Sequence, residues 1–227
     1  MARPSFLASL PKFQRGGFWL FVAALVASAV LADQPAAAAL TLGHGFAAGQ
    51  IWQPLSAVFL YPDGTLGGLV GTLILQWFVG GHLEALWGTA RYLTLCLSAA
   101  VLGYLALALI GLGVPGALVV PQGGTTPADL AAVVGFGVVY ARQPVQLFGA
   151  LPLTGRGLAA LLAGVIILAP LIREGWPGSV PLAVAAALAA LLAWRWRPAM
   201  DSGKVAARGG KPRPRHLRVV KDPRLLN

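Results

Sequence analysis

The pentapeptide Thr125-Thr126-Pro127-Ala128-Asp129 is the most chemically suggestive group in this 227-residue chain. It follows Gly123-Gly124 and opens an apolar segment. A threonine hydroxyl becomes a nucleophile only when a neighbouring base takes its hydrogen. The chain has three histidines, His44, His82 and His216, and each falls in a different segment away from the two threonines. No histidine is placed to take that hydrogen, and a hydroxyl without a base is not activated at neutral pH.

Asp129 reads in two ways. An acid in the first turn of a helix is favoured by the free amides there, so a helix cap accounts for it. An acid inside a membrane is costly and marks a proton or substrate site. Capping is the expected role. His44 has no second ligand at metal-binding spacing, and no metal or cofactor is expected. The one cysteine, Cys96, sits in an apolar run, which excludes an intrachain disulfide and leaves it a small hydrophobe in the core. Glu84 lies among glycines and tryptophans, where it is expected to tie Arg91 or the free amides of the next helix.

The elements that must position these groups are membrane helices. The chain is 57% hydrophobic and 11% charged, with a mean hydropathy of +0.75, whereas soluble domains carry about 25% charged residues. Six apolar segments stand out, at Phe18–Ala32, Leu66–Val79, Tyr92–Leu112, Pro127–Tyr140, Leu158–Ile172 and Val180–Trp194. Only the third reaches the roughly 20 residues of a perpendicular span, so the second or fourth is expected to begin inside the membrane. The fold class is accordingly all-α, a polytopic bundle of six transmembrane helices.

Charge orients the bundle. The net charge is +10, but ten of the seventeen lysines and arginines lie from Arg195 onward, and Arg3, Lys12 and Arg15 precede the first segment. With both termini cytoplasmic, Arg91, Arg142 and Arg156 also fall inside, and only Arg173 falls outside. Nucleic acid is thereby disfavoured as a partner. Phe18–Ala32 also resembles a signal peptide, but retention as a first span is the expectation. Residues 1–17 form a cytoplasmic segment and 18–197 the membrane domain. Residues 33–65, which lack lysine and arginine, read as a long outer loop lying partly in the interface. Residues 198–227 read as a disordered basic tail that attracts anionic lipid or an acidic protein. Trp194-Arg195-Trp196-Arg197 is a lipid or partner anchor at the interface. Small-residue pairs at Gly67 and Gly71, Ala183 and Ala187, and Ala186 and Ala190 are expected to allow close helix contacts.

The run Trp77-Phe78-Val79-Gly80-Gly81-His82-Leu83-Glu84-Ala85-Leu86-Trp87-Gly88, followed by Arg91, resembles the rhomboid family of intramembrane proteins. Trp52-Gln53-Pro54-Leu55-Ser56 and Phe59-Leu60-Tyr61 stand where that family carries the motifs of its long outer loop. The resemblance implies a six-helix rhomboid-like fold. It also implies a Ser nucleophile in Gly-x-Ser-Gly at the start of a short fourth helix, a His base on the sixth, and a His and an Asn on the second. Here Thr125 or Thr126 stands at the nucleophile position, the sixth segment has no His, and Leu66–Thr72 supplies neither His nor Asn. The implied protein is a catalytically inactive, rhomboid-like protein of the cell membrane that binds transmembrane segments of a partner or serves as a complex subunit or adaptor. The alternatives are a protease with a Thr nucleophile, and a small transporter, which needs polar groups converging near the midplane.

Overall fold

The computed structural model describes residues 16–31, 34–61, 66–147 and 151–196. Arg3, Lys12, Arg15, Asp33, Asp63, Arg197, His216 and the basic tail lie outside the described residues. All six apolar segments are helical, and the described chain is mostly helix. Helix α1 spans Gly17–Leu31 and the short α2 Pro35–Leu40. A 3₁₀ turn at His44–Phe46 leads to α3, Gln53–Ser56, which runs into a second 3₁₀ turn at Ala57–Phe59. Helix α4, Leu66–Leu75, passes through a π-turn at Gln76–Gly80 into α5, Gly81–Trp87. The long α6, Thr89–Gly113, is followed by α7, Thr126–Val139; by a hairpin of β1, Pro144–Leu147, and β2, Leu151–Thr154; and by α8, Gly155–Glu174, and α9, Trp176–Arg195.

Three helices are long and apolar enough to cross a membrane, at Thr89–Gly113, Gly155–Arg173 and Trp176–Arg195, while α1 and α7 are shorter. At 1.5 Å per residue, the 14 residues of α7 rise about 21 Å, well short of the roughly 30 Å hydrocarbon core. The hairpin is a departure from the all-α fold class expected from the sequence. Its two strands pair antiparallel with Val145 opposite Leu153, and a two-stranded ribbon has free edges that tolerate Pro144 and Pro152.

Helix α6 forms the centre. Leu95, Cys96, Ala99, Ala100, Leu107 and Ala108 are fully buried along it, so the thiol of Cys96 packs as expected. It crosses α9 at very short range. A Cβ built on Gly103 would lie 2.5 Å from the backbone oxygen of Pro181, so only glycine allows this approach. The small-residue face of α9 is not the expected one. Ala185, Ala189 and Ala193 are buried at four-residue spacing, whereas Ala183 and Ala187 are exposed. Gly71 likewise faces open space rather than a neighbouring helix.

The segment of residues 34–61 is two-sided. Leu42, Gln53, Ala57 and Val58 are buried against the bundle, and Ile51, Trp52 and Leu55 point outward. Gln53 holds the loop by accepting from the Gly43 amide at 3.2 Å and donating to Gln50 at 2.7 Å. Leu42 and Gln122 exchange backbone bonds, and the Gly124 amide donates to the Ala57 carbonyl at 2.8 Å. These bonds fix the loop to the start of α7. Ser28 of α1 secures its far end, donating to the Phe59 carbonyl and accepting from the Tyr61 amide.

Candidate functional site

Helix α7 begins at a chain reversal that glycine permits. Gly124 has φ +106°, and a Cβ there would meet the Tyr61 ring at 2.7 Å. Tyr104 donates from its hydroxyl to the Gly124 carbonyl at 2.9 Å and steadies the turn. The next residue, Thr125, is buried, while Thr126 is partly exposed. Of the two candidate hydroxyls, the structure therefore selects Thr125.

Five polar side chains converge on or beside it. Tyr61 OH lies 2.6 Å from Thr125 Oγ1 and 2.7 Å from Thr72 Oγ1, and the two threonine oxygens are 3.0 Å apart. Thr72 donates to Asp129 Oδ2 at 2.6 Å, Thr125 donates to the same oxygen at 3.3 Å, and Gln76 Nε2 donates to Oδ1 at 2.6 Å. Tyr92 of α6 extends the chain by donating to Gln76 Oε1. Gly80 makes room for that phenol, because a Cβ there would collide with both Tyr92 and Gln76. The Tyr61 phenol, in the loop ahead of α4, is pushed up to about 12, first by burial and then by the charge of Asp129. It stays protonated near neutral pH and remains a donor.

Asp129 lies in the first turn of α7, where a helix favours an acid, but its hydrogen bonds run to side chains. Its carboxylate accepts from two side chains of the second apolar segment and from Thr125, and the N-cap position makes no side-chain bond to the helix amides. The acid instead joins α4, its π-turn and α7. A buried carboxylate requires such donors, since an unsatisfied one is strongly unfavourable. Tyr61, read from the sequence as part of the outer-loop motif, joins Thr72, Gln76 and Tyr92 here, three residues to which the sequence reading gives no role. The sequence does hold a signal for two of them. Thr72 and Gln76 are four residues apart on one face of an apolar helix, as Thr125 and Asp129 are on theirs.

The other side of α7 is dry. Helix α9 buries Gly178, Pro181, Leu182, Ala185, Ala189 and Ala193, none of which can take a proton. The histidines are elsewhere. His44 is exposed in its turn, and His82 is exposed with its ring against Phe136 and Tyr140, at the carboxyl end of α7. Asp129 is the one described acid beside Thr125, and its Oδ2 accepts a shorter bond from Thr72 than from Thr125.

The remaining motif residues tie helix ends together. Glu84 is buried and accepts from the Gly17 amide at 3.0 Å and the Thr89 hydroxyl at 2.7 Å, linking α1, α5 and α6, while Arg91 is exposed. Gly88, at φ +82°, turns the chain from α5 into α6. Gly80 and Gly17 leave space for the Tyr92 ring. Trp77 and Phe78 meet at a tilt of 42°, and Trp87 meets Trp196 edge-on with centroids 6.0 Å apart. Trp52 donates to the Ala39 carbonyl at 2.9 Å, and Trp194 and Arg195 are exposed. No group of three or more potential metal ligands occurs among the described residues. Comparison with protein-family models and with curated proteins gives no match.

Proposed function

We propose that this chain is a rhomboid-like membrane protein of six spans, with both termini cytoplasmic, that binds transmembrane segments of a partner without cleaving them. The observation that carries this reading is the setting of Thr125. Its hydroxyl is enclosed by Tyr61, Thr72 and Asp129, and the helix that supplies the base in the family it resembles buries only apolar residues. The polar residues hold α4, α7 and the outer loop in place, so the scaffold persists while the chemistry does not.

The bundle presents broad apolar faces for a partner helix. Val70, Ile74 and Phe78 face outward on the second segment, and Leu161, Val165, Leu168 and Ile172 on α8. Helix–helix association in lipid depends on close packing along such faces. The test is site-specific photocrosslinking in native membranes from positions 74 and 165. Defined crosslinks to membrane proteins that recur across preparations support the adaptor reading, and crosslinks to lipid alone at both positions refute it. The topology is tested separately. Cys96 is fully buried, so cysteines introduced at Gly49 and Arg142 are cleanly reported by a membrane-impermeant thiol reagent. Labelling from opposite sides of the membrane is required.

The protease alternative has one observation in its favour, the approach of Thr125 to Asp129. Cleavage of a transmembrane substrate that depends on both residues would establish it.

A further inference from the structure

At the end of α7 away from the polar cluster, a cavity of about 630 Å³ opens between α7, α8 and α9. Its walls are small and apolar, with Val134, Val138, Ala160 and Ala163 among them. Along α7 the lining runs from Val134 to Val138, about 6 Å at helical rise, and continues past the helix end to Ala141. Arg156 and Trp194 also line it, and both are solvent-exposed, which places a guanidinium and an indole where the cleft meets the surroundings.

The charge around this opening is one-sided. Arg142 follows the lining residue Ala141, Arg195 follows the lining residue Trp194, and these two and Arg156 are all exposed. Among the described residues none of the three has an ion-pair partner. Asp129 is enclosed in the polar cluster, Glu174 closes the opposite end of α8, and Glu84 is buried with the Gly17 amide and Thr89. An apolar slot edged by unpaired guanidiniums and an indole matches a lipid, whose chain needs apolar walls and whose phosphate takes paired N–H donors from arginine.

We propose that this cleft binds one anionic phospholipid, its phosphate on Arg156 with Arg142 and Arg195 beside it and an acyl chain between α7, α8 and α9. A partner helix is the poorer occupant, because it would have to bring a carboxylate to the same level as the arginines. The site depends on the chain being membrane-embedded and is independent of whether Thr125 is catalytic.

The experiment is native mass spectrometry of the delipidated full-length protein, titrated with phosphatidylglycerol or phosphatidylcholine of the same chain lengths. One retained phosphatidylglycerol per chain is expected, held in clear preference to phosphatidylcholine. Arg156→Gln weakens it about fivefold, the effect of one basic residue at an anionic surface, and Arg156→Lys weakens it less. Ala163→Phe fills the slot while keeping the charge, and it displaces the lipid. If Ala163→Phe does not fold, Arg156→Gln decides alone, since its side chain is exposed and its unfolding midpoint is expected to match wild type. Equal retention of the two lipids, or unchanged retention in Arg156→Gln, overturns the proposal. So does a photocrosslink from position 163 to a membrane protein in place of lipid.

Discussion

The two flanks of helix α7 differ in kind. Towards α4 and the outer loop it presents Thr125 and Asp129 to Tyr61, Thr72 and Gln76, a packed set of oxygens and one amide. Towards α9 it meets alanine, leucine and proline, and α9 in turn meets α6 backbone to backbone at Gly103 and Pro181. The resemblance to rhomboids places the working dyad between the fourth and sixth helices, which is the dry flank here. The polar residues lie on the other flank and bond to one another. A membrane bundle can thus be held by hydrogen bonds on one side of a helix and by close packing on the other.

The sharpest way to break the polar flank is Asp129→Ala. It leaves the Thr72 hydroxyl, the Gln76 amide and Thr125 without their shared acceptor, and stability in detergent is expected to fall by about 2–4 kcal/mol. Asp129→Asn keeps the shape and part of the bonding and is expected to cost less than half as much. Equal losses in the two variants, read from unfolding midpoints, would show that volume and not bonding holds the flank.

The dry flank is tested by Gly103→Val. The added carbons meet the Pro181 backbone, α6 and α9 must separate, and the loss is expected to be about 2 kcal/mol. Gly124→Ala strains a left-handed turn and crowds the Tyr61 ring, for about 1–2 kcal/mol. Smallest is Thr125→Val, which removes one hydroxyl from a group of three for about 1 kcal/mol. If Asp129→Ala and Gly103→Val are additive in combination, the two flanks are independent.

Some of this organisation was legible in the sequence, and the limits have physical causes. Length and hydropathy located all six helical segments, because apolar runs bounded by glycine, proline and charge have few other solutions in a chain this poor in charge. The register of α9 was not legible. Ala183, Ala185, Ala186, Ala187, Ala189 and Ala190 form a run in which several four-residue stripes look alike, and only the position of Pro181 against Gly103 selects the buried one. The choice between Thr125 and Thr126 was hidden for a similar reason, since it depends on the positive φ of Gly124. Thr72 and Gln76 stand on the helix where the family resemblance points to histidine and asparagine, and two polar residues four apart in an apolar helix are themselves a contact signal. The role of Tyr92 depends on a bond across three elements and has no local trace.

The central claim is that Thr125 is a structural hydroxyl and not a nucleophile. The most direct measurement places the purified full-length protein in liposomes with a generic transmembrane substrate and follows cleavage beside Thr125→Ala. The account predicts no product above the liposome background from either protein. Cleavage by the wild type that disappears in Thr125→Ala would contradict it.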